Sequence, residues 1–231
     1  MPKAPTRTLH EMLAASTWGR VLTPAEFDLV LHETRERHVP QNGCIARMGH
    51  PVDHWIGIIE GLGKMSVTLA DGKTSTLAGV CADAWFGEGS LLKREPRRYD
   101  AVALRPTRIA LVPAATFQRL RDTSLPFNHY LQTLMNARLG LFIGMLEGGR
   151  LLSPDARVAR CLAQLFNPDL YPDPGPFVDL RQNEIGLLSG LSRQRVNTAL
   201  HELERIGLIR VESRGVTVTD LQGLRAYACA G

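Results

Sequence analysis

The stretch from Gln182 to Asp220 restricts the fold more than any other part of this chain. Within QNEIGLLSGLSRQRVNTALH, Gly186 lies on a first helix at the point where a second must approach closely. Gly190 falls in the turn, and Val196 faces back toward a core. Leu187, Leu191, Leu200 and Leu203 supply apolar contact between the two helices. After Ile206-Gly207 come LIRVE, a Ser213-Arg214-Gly215 turn and VTVTD, which reads as a two-stranded wing. A helical corner with a glycine and some leucines arises easily by chance, but one followed by a wing does not. The expectation is a winged helix-turn-helix whose partner is double-stranded DNA.

Ser192 is placed to cap the second helix, which puts Arg193, Gln194, Arg195, Asn197 and Thr198 in the two turns that enter a major groove. Gln182, at the start of the first helix, completes the expected DNA-binding set. Arginine can grip guanine with two parallel bonds, and glutamine or asparagine can do the same for adenine, so Arg193 and Gln194 are the first candidates for base readout. From Arg181 to Arg214 there are six arginines against four glutamates, so affinity for phosphate must come from local placement. Glu202, Glu204 and Arg205 read as a solvated helix face.

The chain has 231 residues, enough for two domains, and its 44% hydrophobic and 22% charged residues are the balance of a folded protein. Thr23 and Pro24 suit the cap and first position of a short helix carrying Phe27, Val30 and Leu31. From Val39 to Pro113 the texture becomes short runs such as WIGIIEG, KMSVTLA and RIALVP between glycine-rich turns, which predicts seven or eight strands. Asp71-Gly72 marks a hairpin, and Gly43, Gly49, Gly61 and Gly63 punctuate neighbouring strands, so a small antiparallel roll is expected.

Beyond Ala114 the period turns helical, and two apolar stripes run side by side from Phe127 to Leu146. One holds Phe127, Leu131, Leu134, Leu141 and Met145, interrupted by Arg138; the other holds Met135, Leu139, Phe142 and Leu146. A helix with two stripes needs two covers, the roll and a twin helix from a second subunit, and the first stripe with Arg138 is the expected dimer seam. The alternative is a helix buried within a single chain. Gly140 and Gly144 weaken the helix, Gly148 and Gly149 are expected to end it, and Ser153-Pro154-Asp155 opens the next one. A helix through about Phe166 and an irregular loop, NPDLYPDPGP, follow. The expected architecture is α+β: a sensor domain over 1–122 built as a double-sheeted β-roll, a central dimerisation helix over 123–148, and a winged helix-turn-helix over 149–231.

Several classes are disfavoured. His10 and Glu11 interrupt the apolar run a secretory signal needs, and Leu139 to Leu146 is far shorter than the ~20 residues of a membrane span, so a cytoplasmic protein without a membrane partner is expected. Cys44, Cys81, Cys161 and Cys229 lack the spacing of a metal site or a disulfide framework. No nucleophile-base set, metal motif or carboxylate pair stands out, so no enzyme is expected.

In its order of roll, long helix, hinge, helix-turn-helix and wing, the chain from about 20 to 220 resembles the Crp/Fnr family of bacterial regulators. FGEGSLLKREPRRYDAVAL is similar to that family's phosphate-binding cassette, in which Gly-Glu begins a short helix and an arginine lies ten residues after the glutamate. The resemblance implies a candidate effector site of Gly87, Glu88, Gly89, Arg97, Arg98, Tyr99 and Arg138, with Glu88 in the ribose-binding role and Arg98 in the phosphate-binding role. Gly87 and Gly89 would let backbone amides approach an anion, and Arg98 would offer a guanidinium. A small anionic or nucleotide-like effector is implied, as are a homodimer, a two-fold symmetric operator, contact with RNA polymerase and rotation about a hinge between Gly148 and Ser153.

The departures from the family pattern bear on the effector. Tyr99 replaces a small hydroxyl residue, acidic Asp100 follows it, and Phe142 and Ile143 occupy the positions of polar adenine contacts. A purine amine left unpaired there would cost roughly 1–3 kcal/mol, so cyclic AMP is not the expected effector. Arg138 reaching back to Glu88 would instead make that pair architecture, leaving a roll that serves only as a dimerisation scaffold. With only Cys44 near the N-terminal region and no histidine motif, neither an iron-sulfur cluster nor haem is expected.

Overall fold

Helix α1 (Leu9–Ala15) begins where Thr8 and Glu11 form a reciprocal cap, and α2 (Pro24–Glu33) begins in the same way at Thr23 and Glu26. The second of these was legible from Thr23-Pro24. The computed structural model describes residues 7–68, 70–171 and 175–230, with the side chains of 148–151 and 230 left aside. The expected loop NPDLYPDPGP therefore has its middle, 172–174, outside the described residues. The chain separates into two compact units, 1–136 and 137–231.

Eight strands among the described residues build the first unit: β1 (Arg35–Val39), β2 (Cys44–Ala46), β3 (His54–Glu60), β4 (Leu62–Thr68), β5 (Thr74–Cys81), β6 (Trp85–Phe86), β7 (Asp100–Ala103) and β8 (Thr107–Pro113). They form two four-stranded antiparallel sheets, ordered β1-β8-β3-β6 and β2-β7-β4-β5. This is the jelly roll. The expected hairpin joins β4 to β5 with Thr68 opposite Thr74, and Gly72 takes the positive φ (+83°) that its turn requires. A short helix α3 (Glu88–Lys93) interrupts the strands between β6 and β7.

Strand β3 is buried on both faces, which explains its nearly continuous apolar run. Ile56 and Ile58 lie on one side. On the other, Gly57 is so tightly covered that an added Cβ would fall 2.7 Å from Met12 Cε and 2.8 Å from the Trp85 ring. Met12 belongs to α1, so the N-terminal helix seals the outside of the sheet. Around that seal the aromatic rings gather: Trp55 stands 5.0 Å from Trp18, 4.6 Å from Trp85, 5.4 Å from Phe117 and 5.7 Å from Phe127, centroid to centroid. Phe117 comes from α4 (Ala114–Thr123) and Phe127 from α5 (Leu125–Leu151), so one cluster fastens these two helices to the roll.

Two expectations about α5 need correction. It does not stop at Gly148 and Gly149 but continues to Leu151. Each glycine weakens a helix by only about 1 kcal/mol, whereas Pro154 bars its predecessor from helical geometry, so the chain breaks at Ser153. Of the residues expected to form the dimer seam, Phe127, Leu131 and Leu134 are instead buried within the first unit itself. Leu141 and Met145 are half-buried, while Met135, Leu139, Ile143 and Leu146 are exposed, as is Leu125 at the helix start.

In the second unit, α6 (Pro154–Gln164) starts at the Ser153 cap, whose side chain accepts from the Ala156 amide. Then come β9 (Phe177–Val178), α7 (Gln182–Ser189), α8 (Arg193–Arg205), β10 (Ile209–Val211), β11 (Val216–Val218) and α9 (Leu221–Ala230). The wing is a three-stranded antiparallel sheet ordered β10-β11-β9. β9 was not foreseen, because a two-residue strand beside a proline-rich loop carries no alternation to read. Val196, Ala199, Leu200 and Leu203 of α8 pack into a core with Val158 and Leu162 of α6 and Leu224 of α9. α1 and α9 were not foreseen as helices either.

Candidate effector pocket and nucleic-acid interface

The loop entering α3 turns at Gly87 with φ +98°, a conformation costly for any residue with a Cβ. Space forbids a side chain there as well, because a Cβ on Gly87 would lie 2.7 Å from Arg97 Nη1 and 3.1 Å from Nη2. The glycine thus makes room for the Arg97 guanidinium. Arg97 is only 5% exposed, and its Nη1 is buried with no hydrogen-bond partner among the described residues. Tyr99 stacks near it, its ring centroid 5.7 Å from the guanidinium carbon. Such a contact contributes roughly 0.5–2 kcal/mol, less than the several kcal/mol a buried unpaired cation costs.

Arg98, expected in the phosphate-binding role, points the other way. Its side chain is 70% exposed and grips Glu95 through two bonds of 2.8 and 2.9 Å. Hydrogen bonding to Arg98 holds the Glu95 carboxyl below its ordinary range and raises the Arg98 guanidinium above its own. The two adjacent arginines leave the loop before β7 in different directions, Arg97 buried and Arg98 exposed. Sequence spacing selected the wrong neighbour for the inward position. Glu88 is buried in the first unit, Gly89 has open space around it, and Arg138 lies on α5 in the second unit. Asp100 is occupied locally, accepting from the Met48 amide at 2.9 Å.

The helix-turn-helix rests on the three positions the sequence singled out. A Cβ on Gly186 would meet Leu191 O at 2.8 Å and Val196 Cγ2 at 3.7 Å, so the glycine sets how closely the helices approach. Gly190 ends α7 in the left-handed region at φ +68°, and Val196 is fully buried. Ser192 caps α8 by accepting from the Arg195 amide. From outside the motif, Arg157 of α6 donates to Ser189 O at 2.7 Å, satisfying a carbonyl at the end of α7. Leu187, expected between the helices, is exposed instead, since its neighbours Ile185 and Gly186 take the inward face.

The polar side chains of α8 divide by what already holds them. Arg193 and Gln194 are exposed at the first turn, and their side chains make no hydrogen bond or ion pair among the described residues. Arg195 lies 3.7 Å from the Asp155 carboxylate of α6, and Asn197 accepts from Gln182 at 2.9 Å. Thr198 bonds back to Gln194 O. Glu202 and Arg205 form the expected solvated pair, with Glu202 held below its ordinary pKa by that bond. Glu204 departs from its expected idle role, since its carboxylate accepts from the Val211 amide at 2.7 Å and ties α8 to the wing.

Two family models match the chain, a cyclic nucleotide-binding domain over 36–124 and a Crp-like helix-turn-helix domain over 156–227. The cyclic AMP receptor protein of Thermus thermophilus is 30% identical over 209 residues, covering 90% of this chain and 94% of that protein. A CRP-like cAMP-activated global transcriptional regulator of Mycobacterium tuberculosis is 25% identical, covering 95% and 100%. In three dimensions FixK2 of Bradyrhizobium japonicum superposes with a TM-score of 0.70 at 18% identity, covering 86% of this chain and 98% of that one, which speaks to the fold alone. These regulators are not enzymes. With matching models in both halves and a relative of that identity along nearly its whole length, the chain belongs to the Crp/Fnr family of DNA-binding transcription regulators.

Proposed function

We propose that this regulator acts as a homodimer on a two-fold symmetric operator, and that a small anion bound in the roll adjusts its grip. What carries the DNA half of this reading is the pair Arg193 and Gln194, which stand exposed and uncommitted on the first turn of a capped helix. Two such helices, one from each subunit, would enter major grooves about 34 Å apart, one turn of DNA. Replacing Arg193 by alanine is expected to cost ~1–3 kcal/mol of specific binding, about 5- to 150-fold, and to relax preference at one base pair. Fluorescence anisotropy across operator variants at fixed salt measures this. An unchanged preference would mean that α8 is oriented differently on the duplex. RNA polymerase and a cytoplasmic setting are the further context that family membership implies.

The sensing half rests on Arg97, whose buried and unpartnered nitrogen faces Gly87. An anion would supply the missing partner. Arg97 takes over the role first assigned to Arg98, while Glu88, Gly89 and Tyr99 stay in the proposed site. Arg97→Gln removes a buried uncompensated charge, so the ligand-free variant is expected to melt at or above the wild-type temperature. The decisive readout is a panel of cyclic nucleotides, nucleoside phosphates and small carboxylates. A ligand at a hundred times its Kd stabilises by about 2.7 kcal/mol, which should raise the wild-type melting temperature by roughly 5–10 °C and leave the variant unmoved. The competing reading, a roll that is only a scaffold, is favoured by the Tyr99 ring already lying against Arg97. It prevails if no anion moves the wild type and the variant melts several degrees lower.

A further inference from the structure

Gln182 is the first residue of α7 and Asn197 lies in the second turn of α8, so both belong to the helix ends that face a duplex in this motif. The close crossing at Gly186, with Val196 buried beside it, brings the two amides together. Gln182 Nε2 donates to Asn197 Oδ1 at 2.9 Å, and both residues are half-buried, so water competes poorly for the bond. Among the described residues neither side chain makes any other hydrogen bond. Asn197 is therefore left with its two N–H donors, and its amide plane is fixed by a residue from the other helix.

We infer that Gln182 and Asn197 read one base pair as a unit, with Gln182 as the positioning residue that turns the Asn197 NH2 edge toward the groove. Two donors there suit guanine, which offers adjacent N7 and O6 acceptors, and oppose cytosine, whose exposed group is itself a donor. This rests on the proposed placement of α8 in the groove and deepens it. Left alone, an asparagine can rotate its amide to suit adenine or to suit an acceptor; held by Gln182, it loses that choice. The specificity of this position therefore resides in a contact between two protein side chains.

The test is selection of operators from a randomised double-stranded library with the full-length protein, comparing wild type, Asn197→Ala, Gln182→Met and the double variant. Wild type is expected to disfavour cytosine by about tenfold at one position of each half-site. Each single variant should flatten that same position and no other, and the double variant should flatten it no further. Gln182→Glu provides the sharper check, because a carboxylate can only accept. Asn197 must then donate to it and turn Oδ1 outward, moving the preference to the amino groups of cytosine or adenine. The inference is overturned if Gln182→Met leaves the position as in wild type, if the two singles change different positions, or if Gln182→Glu produces no switch. It is equally overturned if the variants melt like wild type yet bind no DNA, which would make the pair a brace between helices. Arg193→Ala separates this from the broader reading: if it too alters no position, the placement of α8 has failed, and not the pairing alone.

Discussion

Truncating Trp55 to alanine is expected to destabilise the first unit by roughly 3–5 kcal/mol, a large share of the 5–15 kcal/mol that holds a typical domain folded. Trp55 is fully buried, and Trp18, Trp85, Phe117 and Phe127 all stand within 6 Å of its ring. Its removal opens a cavity that rings anchored at four separate places in the chain cannot close together. The melting temperature should fall by on the order of 10 °C, read by circular dichroism. Trp55→Phe is the informative companion. Its indole nitrogen is buried with no hydrogen-bond partner among the described residues, so phenylalanine keeps most of the ring contact while removing an unsatisfied donor. That variant should lose less than about 2 kcal/mol. A Trp55→Ala protein melting within a degree or two of wild type would mean the cluster does not fasten the helices to the roll.

That cluster also marks how far sequence alone reaches. Thr23-Pro24, Asp71-Gly72 and Ser153-Pro154 each dictate local backbone geometry, and at each the helix or turn forms where the residues place it. Gly186, Gly190 and Val196 are equally direct, because a helix crossing needs a small residue, a left-handed residue and a core residue at fixed offsets. What sequence does not carry is direction. Arg97 and Arg98 are identical letters, and only the path of the loop before β7 sends one inward to Gly87 and the other out to Glu95. The stripes of α5 present the same difficulty at larger scale. Periodicity finds two apolar faces, but which one the roll covers depends on how the helix is rotated. Glu204 adds a third case, since nothing local reveals that its carboxylate will meet an amide of the wing. Patterns near in sequence were legible, and those set by tertiary packing were not.

The exposed stripe on α5 leads to the largest expected effect on assembly. Met135, Leu139, Ile143 and Leu146 recur at helical spacing along one face, and Leu139 is 58% exposed. A row of large apolar side chains left in water is a surface awaiting a cover, and in a regulator proposed to meet a symmetric operator the fitting cover is the same face of a second copy. Because such a seam repeats each residue across its axis, Leu139→Asp introduces two unpaired carboxylates at once, each costly to bury and each repelling the other. Light scattering at micromolar concentration should then report the 25.5 kDa of a single chain in place of twice that mass. Operator affinity should fall about 100- to 10,000-fold, because one recognition helix binds without the help of its twin. Leu134→Asp is the contrasting variant. Leu134 is 1% exposed inside the first unit, so a charge there should cost the fold of that unit, whereas Leu139→Asp should melt close to wild type. If Leu139→Asp remains a dimer with its operator affinity intact, the subunits meet through some other face, and the exposed stripe has another purpose.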